Sequence, residues 1–272
     1  MNPQTELKYL ECFKNPTKEQ ADKKQMLEEF ISTREKYILL DADSLLYNVV
    51  HFHRDKDTIE DLEHQYEDFL SQKRAIVNKI EEDGFNYSEL VYYFTMCKNN
   101  FRYNIYPEYK KKDKPDEEMR ALVSVLKYYV IQMLETEGNQ VKYSDTLEAD
   151  DLISIDARQL ESIIVSLDKD LKQIPGAHFD YYKQKTGEQD TEGFDLREFR
   201  GWSYTTPQEG YDMFLKQMLI GDTADNIKGV KGVGKVGAAK LVTGSNFEKL
   251  LKVARKYDSI ERMRLNVQLM RL

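Results

Sequence analysis

Four groups of acidic residues are spaced so that several carboxylates could meet at one place. Two groups follow apolar runs typical of buried strands, and the other two contain acids three residues apart, as on one face of a helix. The groups comprise Asp41 and Asp43, Glu148, Asp150 and Asp151, Asp168 and Asp170, and Asp222 and Asp225. In a chain with 48 acidic residues, any one such group is also expected by chance, and exposed acids often cap helices.

Carboxylates that converge on one crevice repel each other unless cations lie between them. The candidate ligands are hard oxygen atoms without histidine or cysteine nearby, and this chemistry favours Mg²⁺ or Mn²⁺. Two such ions, roughly 4 Å apart, suit in-line displacement at a phosphodiester. We therefore expect a centre that binds two divalent ions.

The elements that would position these acids alternate between strands and helices. Predicted strands cover residues 37–43, 90–96, 140–143 and 162–168, and predicted helices cover residues 57–82, 116–135 and 149–160. A terminal hairpin is predicted from residues 178–183 and 194–199. The alternation indicates an α/β fold with a mostly parallel sheet. Because sites in such sheets form outside the carboxyl ends of the strands, we expect Asp41 and Asp168 to face one crevice.

A basic, glycine-rich segment adjoins the last acidic group. Residues 226–256 contain eight lysines or arginines and a single acid, although the whole chain has a net charge of −8. The stretch G-V-K-G-V-G-K-V-G has the turn pattern of a helix-hairpin-helix, whose backbone N–H groups can approach phosphates without reading bases. A flexible, lysine-rich surface loop would have the same composition. The residues expected to contact nucleic acid here are Lys228, Gly232, Gly234, Lys235 and Lys240.

Composition restricts the remaining classes of protein. The chain has 272 residues and is 40% hydrophobic, enough for one large domain or for a domain with a small module. No apolar run approaches the roughly 18 residues of a membrane helix, and the N-terminus has no apolar export signal. Cys12 and Cys97 form neither a disulfide framework nor a closely spaced pair of metal ligands. We therefore expect a cytoplasmic protein without a membrane partner.

Five segments together resemble the ordered motifs of the flap endonuclease and 5′–3′ exonuclease family. They are L-L-D-A-D-S-L-L-Y, F-R-Y-N-I-Y-P-E-Y-K, L-E-A-D-D, S-L-D-K-D-L and L-I-G-D-T-A-D-N-I-K-G-V-K-G-V-G. The resemblance covers residues 37–256, and the chain looks most like a phage member. It implies a PIN-like α/β catalytic domain at residues 37–205 and a helix-hairpin-helix module at residues 206–272. Residues 1–36 are polar and evenly charged, with seven basic and seven acidic residues, so we expect a helical or partly ordered N-terminal extension there and not a core element.

The resemblance also implies roles for individual residues. It indicates eight acids as ligands of two divalent ions, namely Asp41, Glu148, Asp150, Asp151, Asp168, Asp170, Asp222 and Asp225. Together with Asp41, Asp150 and Asp168, it assigns catalytic roles to Lys110 and Arg102. Tyr109 would stack on a base of the threaded strand, and Lys111 and Lys112 would also contact DNA. K⁺ or another monovalent ion would lie near the carbonyls of Val230 and Val233.

The implied substrate is DNA with a 5′ flap or a free 5′ end, with RNA–DNA hybrids as a further substrate, during replication or repair. Replisome proteins are implied as partners, and we expect a monomer that acts in the host cytoplasm if a phage encodes it. Two alternatives stay open. One is a PIN-domain ribonuclease, and the other is a DNA-binding protein of the same fold with weakened catalysis.

Two positions depart from the family pattern. Thr95 stands where relatives usually carry another metal-site aspartate, and Asp113 stands where they usually carry arginine. The first change would weaken an outer metal contact. The second places a negative charge where phosphate should be clamped, unless Lys111, Lys112 or Lys114 substitutes for the arginine.

The remaining aromatic residues and histidines are interpreted as packing residues. His51 and His53 do not share a helix face, so we interpret them as surface or packing residues near the active end. Trp202 is interpreted as an anchor between the catalytic domain and the C-terminal module. The tyrosines predicted to lie in the core are Tyr92, Tyr93, Tyr128 and Tyr129.

Overall fold

A six-stranded β-sheet lies at the centre of the protein. The computed structural model describes residues 2–33, 36–55, 61–111, 117–181, 201–242, 247–256 and 260–272. The strands are β1 Tyr37–Asp41, β2 Glu89–Thr95, β3 Gln140–Ser144, β4 Ser162–Val165, β5 Gly176–Asp180 and β6 Gly201–Thr205. Their order is β3-β2-β1-β4-β5-β6, and the neighbouring pairs are parallel except β5 with β6. The predicted α/β fold with a mostly parallel sheet is therefore confirmed.

Helices precede and connect the strands of the sheet, and further helices come after its last strand. Those up to β4 are α1 Pro3–Glu11, α2 Lys18–Ser32, α3 Asp43–Asp55, α4 Leu62–Glu82, α5 Phe101–Ile105, α6 Glu117–Thr136 and α7 Ala149–Ala157. A short 3₁₀ helix, Lys169–Gln173, follows β4. After β6 come α8 Pro207–Ile220, the small antiparallel ladder of β7 Gly221–Asp222 and β8 Ile227–Lys228, and then α9 Lys235–Val242, α10 Phe247–Lys256 and α11 Ile260–Met270. Within the described ranges, no helix is both long and apolar enough to cross a membrane.

Strand β1 is buried on both faces. Ile38 and Leu40 belong to a core that contains residues of α3, α4 and α6, whereas Leu39 belongs to a second core with residues of α7 and the 3₁₀ helix. A central parallel strand covered by helices on both sides reads as a continuous apolar run, and Y-I-L-L is such a run. Asp41, at the carboxyl end of β1, carries the strand's first acidic side chain to the edge of the sheet.

The N-terminal helices are part of the main core. Leu27 and Phe30 of α2 are fully buried there, and the Phe30 ring lies 5.6 Å from the ring of Phe85 and 5.8 Å from that of Tyr204. The helical character predicted for this segment is found, but the expectation that it lies outside the core is wrong. The segment is polar and evenly charged on average, and the average conceals a narrow apolar face that packs on the sheet.

The last strand differs from the predicted hairpin. Strand β5 pairs in antiparallel fashion with β6, whereas the predicted partner at residues 194–199 lies outside the described residues. Trp202 of β6 packs against Phe85 and Phe179 at ring distances of 4.7 and 5.0 Å, and its Nε1 donates a 2.7 Å hydrogen bond to Asp83. Trp202 is therefore a packing residue, but of the main core and not of a boundary between domains.

Most of the residues interpreted as core are buried, with one exception. Tyr92 and Tyr93 of β2 are buried, and so is His53 of α3. Tyr128 is 55% exposed, so its assignment to the core is wrong. Successive residues of a helix point in different directions, and on α6 it is the neighbouring Tyr129 that packs against the core.

The helices after the sheet have an apolar cluster of their own. It contains Leu215 of α8, Ala238 of α9 and Met263 of α11. Gly229 passes so close to α8 that a Cβ atom there would lie 2.1 Å from the carbonyl oxygen of Ile220, so this crossing requires glycine. The division of the chain at residues 205 and 206 stays a prediction.

Candidate active site

The carboxyl ends of the central strands bring acids from three of the predicted groups to one crevice. Asp41 ends β1, Asp168 caps the 3₁₀ helix after β4, and Asp150 lies in the first turn of α7. β1 and β4 are the neighbours at which the strand order reverses, the usual place for a site in an open α/β sheet. The crevice has a volume of about 560 Å³ and is lined by Asp41, Asp43, Ser44, Tyr47, Thr95, Lys110, Glu148, Asp150, Leu167, Asp168 and Lys169.

A second, smaller cavity of about 30 Å³ is lined by three further acids of the predicted groups. Its lining includes Asp170, Asp222 and Asp225, and it shares Glu148 and Asp150 with the larger crevice. The β7–β8 ladder places the last two acids there, since Asp222 belongs to β7 and Asp225 lies in the turn that follows. The four acidic groups of the sequence thus meet, and two of their members lie between the two cavities.

The crowding of these carboxylates changes their protonation. Burial, with the neighbouring charges of Asp43 and Asp168, raises the pKa of Asp41 to about 7. Burial together with Asp168 and Asp222 raises the pKa of Asp170 to about 6. Burial also raises the pKa of Asp150 well above its ordinary value, and Asp41 and Asp168 add to this effect. The site therefore carries more negative charge than its surroundings neutralise, and a bound cation would relieve the excess.

Glu148 is held by the segment that precedes α6. The Tyr109 hydroxyl lies 2.7 Å from Glu148 Oε2, and Lys110 Nζ donates to Glu148 Oε1 at 2.5 Å. The same hydroxyl lies 3.0 Å from Asp225 Oδ2. Because a phenol has one proton, the hydroxyl donates to one of these two carboxylates at a time. Burial raises the pKa of the Asp225 carboxyl group above its ordinary value.

Tyr109 does not present its ring to solvent. It is 2% exposed, and its segment is docked on the β7–β8 turn. The Lys110 N–H donates to the Asp225 carbonyl at 2.9 Å, and Asn226 Nδ2 donates to the Glu108 carbonyl at 2.8 Å. The expectation that Tyr109 stands ready to stack on a base is therefore not met in this structure, because the hydroxyl anchors the ring between two acids.

Arg102 and Asp151 form a buried, bidentate ion pair. Arg102 Nη1 and Nη2 donate to Asp151 Oδ2 and Oδ1 at 2.6 and 2.7 Å, and Arg102 Nε donates to the Leu269 carbonyl at 2.8 Å. Asp151 Oδ2 also accepts from the Glu148 N–H at 3.0 Å. This corrects two expectations. Both oxygens of Asp151 are occupied by protein donors, so it orients the start of α7, and the Arg102 guanidinium faces the protein and not a bound phosphate.

Thr95 takes part in a polar network with Asp43 and Lys127. Thr95 N donates to Asp43 Oδ2 at 3.0 Å, and Lys127 Nζ lies 2.7 Å from Asp43 Oδ1. Thr95 Oγ1 accepts from the Ala149 N–H at 3.1 Å and so supports the first turn of α7. Asp43 thus lines the crevice in an ion pair with Lys127, a lysine that no sequence motif indicates.

Two glutamines form a relay that reaches Asp170. Gln217 Nε2 donates to Asp170 Oδ1 at 2.5 Å, and Gln173 Nε2 donates to Gln217 Oε1 at 2.6 Å and to the Met270 carbonyl at 2.9 Å. On the β1 side, Ser166 Oγ donates to Asp41 Oδ2 at 2.7 Å. Gln173, Gln217 and Ser166 belong to no sequence motif, so the sequence alone does not identify them.

Apart from Tyr109 and Lys110, the described residues expected to contact DNA lie at the surface. Lys228, Gly232, Gly234, Lys235 and Lys240 are all exposed, and so is Lys111, which pairs with Glu108 at 3.2 Å. Gly232 has a φ of +76°, as its turn requires. The Val230 carbonyl accepts a 3.1 Å hydrogen bond from the Val233 N–H. Lys112, Asp113 and Lys114 lie outside the described residues.

The donors at the site fit a hard divalent cation. The described residues that line the two cavities offer carboxylate, hydroxyl and amide oxygens but no histidine or cysteine. Such oxygen-only sets suit Mg²⁺ and Mn²⁺ better than softer metals. The excess of negative charge described above points in the same direction.

The sequence relatives of this chain include DNA polymerases I and 5′–3′ exonucleases. The chain is 27% identical over 253 residues to DNA polymerase I of Bacillus subtilis, which covers 88% of this chain and 26% of the polymerase. It is also 27% identical over 205 residues to a 5′–3′ exonuclease of Buchnera aphidicola, which covers 69% of this chain and 62% of the exonuclease. The chain therefore corresponds to only part of each relative.

A solved structure shares the fold. The flap endonuclease of bacteriophage T5, in a pseudo-enzyme–product complex with DNA and metal ions, superposes with a TM-score of 0.62 and 14% sequence identity. The match covers 87% of this chain and 89% of the phage protein. Residues 36–200, more than half of the chain, match the family model described as 5′–3′ exonuclease, N-terminal resolvase-like domain. The chain therefore belongs to the 5′–3′ exonuclease family, through its N-terminal resolvase-like domain.

Proposed function

We propose that this chain is a divalent-metal-dependent 5′ nuclease that hydrolyses phosphodiester bonds in DNA with a 5′ flap or a free 5′ end. The observation that carries the proposal is the junction of two acidic cavities at Glu148 and Asp150. Each cavity is lined by acids, and Glu148 and Asp150 line both. This arrangement suits a pair of cations that act on one phosphate. RNA paired with DNA is a further substrate that the same chemistry could cleave.

Two Mg²⁺ or Mn²⁺ ions would be held by these acids, one ion in each cavity. Asp41, Asp168, Glu148 and Asp150 would hold one ion in the larger crevice, and Asp170, Asp222 and Asp225 would hold the other. When bound, the ions supply an activated water and neutralise the charge that develops on the scissile phosphate. Ser166 and Gln217 would keep the carboxylates of Asp41 and Asp170 in fixed orientations through their hydrogen bonds.

The DNA backbone would lie along the exposed lysines around α9. A side-chain carbon at Gly234 would meet no atom within 4 Å, so a phosphate has room to approach the backbone N–H groups of this turn. We assign residues 206–272 as a helix-hairpin-helix module beside a catalytic domain at residues 37–205. A K⁺ ion near the carbonyls of Val230 and Val233 would fix the turn in the same way as in the implied family.

Lys110 would contact the scissile phosphate in the complex. In the described state its Nζ reaches the shared acid Glu148 and lies 3.9 Å from Asp225 Oδ1, so it already sits between the two cavities. Lys111 would contact the same DNA strand, and so would Lys112, its neighbour in sequence. A free single-stranded 5′ end would have to pass beneath this segment, so a blocked end should slow cleavage.

The test is cleavage of a 5′-flap DNA labelled at the flap end, with Mg²⁺ or with EDTA. We expect cleavage in Mg²⁺ only, slower cleavage when the 5′ end carries a bulky block, and a loss of at least about 100-fold in Asp168→Asn, a barrier increase of roughly 2.7 kcal/mol. DNA affinity measured in Ca²⁺ should be retained. Glu67→Gln, at an exposed acid on α4, is the matched control and should cleave normally.

Other outcomes of this test separate the competing functions. DNA binding without Mg²⁺-dependent cleavage would make the chain a DNA-binding protein of the same fold, and cleavage of RNA alone would make it a PIN-type ribonuclease. Normal cleavage by Asp168→Asn would remove that residue from the proposed metal set. We propose that the protein acts as a monomer in the cytoplasm, together with replisome proteins.

A further inference from the structure

Two histidines and an aspartate meet at a place separate from the acidic crevice. His53 lies in the last turn of α3, and His64 and Asp68 lie one turn apart near the start of α4. His53 Nε2 is 3.0 Å from Asp68 Oδ2, and the rings of His53 and His64 lie 5.2 Å apart at 86°. One ligand atom from each of the three residues lies within 4.8 Å of the others.

This cluster offers imidazole nitrogens, whereas the acidic crevice offers none. Imidazole nitrogens suit Zn²⁺ and related transition metals, whereas sets of carboxylates alone suit Mg²⁺. Around a tetrahedral Zn²⁺ with ligand bonds of about 2.0–2.1 Å, the ligand atoms lie about 3.4 Å apart. His53 and Asp68 already have such a separation. His64 is exposed, so rotation of its side chain can close the remaining gap.

We infer that His53, His64 and Asp68 form a binding site for a divalent transition-metal ion, with Zn²⁺ as its preferred ligand. Water would complete the four-coordinate shell, since three protein ligands leave one position open. The imidazole of His53 is buried and therefore fixed in position. The ion would bind to it near the protein surface, and His64 and Asp68 of α4 would supply the other two protein ligands.

This site and the acidic crevice do not share residues. Asp43 begins α3 at the crevice and His53 follows ten residues later, which places them about 15 Å apart along the helix axis. Helix α3 thus begins at the active end, as expected, and His53 lies near its other end. An ion bound there would join the end of α3 to the start of α4, so its role is to fasten two helices that pack on the main core.

A simple hydrogen bond is the competing explanation for the geometry. A His53–Asp68 hydrogen bond, with His64 in edge-to-face contact, would produce the same distances without a metal. The two explanations differ in one measurable respect. Only the metal site predicts a Zn²⁺ equivalent whose binding depends on His64, a residue that the hydrogen bond does not use.

The experiment is Zn²⁺ titration of the full chain in excess Mg²⁺, which occupies the carboxylate crevice. Bound zinc is counted after dialysis, and the thermal unfolding midpoint is recorded with and without Zn²⁺. His64→Gln and Asp68→Asn should each lose one Zn²⁺ equivalent, weaken zinc affinity by at least about 10-fold and abolish the zinc-dependent rise in the midpoint. His51→Gln, two residues before His53 on α3, is the matched control and should bind zinc like the unmodified chain.

The outcomes are distinguishable from those of the nuclease tests. His64 is exposed and outside the crevice, so His64→Gln should fold normally and cleave DNA in Mg²⁺ at the unmodified rate. Replacing Zn²⁺ with Co²⁺ should give the intense visible absorption of a tetrahedral site, and His64→Gln should remove it. Equal zinc stoichiometry and an equal midpoint shift in His64→Gln would overturn the inference and leave the hydrogen bond as the explanation.

Discussion

Lys110 and Glu148 form an ion pair inside the acidic site, with Nζ 2.5 Å from Oε1, and the same Nζ lies 3.9 Å from Asp225 Oδ1. Burial lowers the pKa of Lys110, but the charges of Glu148 and Asp225 outweigh this effect and raise it. The ammonium group therefore stays charged between acids that we assign to the two metal ions. It acts there as a cation that the chain itself provides.

Lys110→Met should separate the effects of this group on cation binding and on cleavage. Repulsion between two unit charges 4 Å apart in water is about 1 kcal/mol, and it doubles when one ion is divalent, so removal of the ammonium should tighten Ca²⁺ binding roughly 30-fold. Cleavage in saturating Mg²⁺ should fall by at least about 10-fold, because the phosphate loses a charged contact. Calorimetric Ca²⁺ titration and single-turnover cleavage measure the two effects.

Lys111→Met is the matched control for Lys110, since Lys111 is exposed and pairs only weakly with Glu108. It should leave Ca²⁺ affinity unchanged. If Lys110→Met also leaves Ca²⁺ affinity unchanged, the ammonium group does not compete with the ions, and its place between the two cavities has no bearing on metal binding.

Arg102→Met should destabilise the protein strongly. It leaves the buried Asp151 carboxylate without its partner, and breaking a buried pair on one side typically costs about 3–5 kcal/mol of unfolding free energy. The double variant Arg102→Met with Asp151→Leu should lose less than the sum of the two single changes. Urea unfolding of the four proteins measures the coupling. Arg264→Met, at an exposed pair with Glu261, should change stability by about 1 kcal/mol or less.

The protein without divalent metal should become less stable as the pH rises. The pKa of Asp41 is about 7 in the fold, against an ordinary value of 3.8, because of burial and then the charges of Asp43 and Asp168. A carboxyl group with a raised pKa stabilises the fold below its ordinary pKa, and this contribution is lost as the pH rises through the folded value. The thermal midpoint in EDTA should therefore fall between about pH 4 and pH 7.

Mg²⁺ should reverse this trend, because protons and cations compete for the same carboxylates. Cation affinity should thus rise over the pH interval in which stability in EDTA falls. Asp41→Asn should flatten much of the pH dependence in EDTA, whereas Glu67→Gln should preserve it. A midpoint that rises with pH in EDTA would show that Asp41 is ionised in the free protein.

Gln217→Leu should weaken binding of the ion nearest Asp170. The glutamine donates to Asp170 Oδ1 and accepts from Gln173, so the leucine removes the contact that orients the carboxylate. Loss of such an orienting partner typically costs about 10–100-fold in metal affinity. Calorimetry with Ca²⁺ measures the change without any cleavage. Gln208→Leu, at an exposed position of the same helix, should have no effect on it.

Lys235→Ala should weaken binding of every DNA sequence alike. If this exposed lysine of α9 contacts a phosphate, its removal should lower the slope of log affinity against log salt by about one. Fluorescence anisotropy in Ca²⁺ at several salt concentrations measures the slope. Lys14→Ala, at an exposed lysine between α1 and α2, provides the comparison. An unchanged slope would place the DNA-binding surface elsewhere.

The sequence by itself determined the fold class and the meeting of the acids. Continuous apolar runs such as Y-I-L-L alternate with helical patterns, and this alternation indicates a parallel sheet with helices on both faces. Since parallel strands end at one edge, Asp41 and Asp168 had to lie near each other. The same local signals missed the contribution of α2 to the core, because apolar residues such as Leu27 and Phe30 are few in a charged segment.

Only the tertiary structure decided what each polar residue contacts. Asp150 and Asp151 are adjacent in sequence, yet one lines the crevice and the other is bound by Arg102, because neighbouring positions on a helix point in different directions. The contacts of Gln217 with Asp170 and of Tyr109 with Asp225 join residues far apart in the chain. Such pairings depend on how the elements pack, and no local pattern of residue types encodes them.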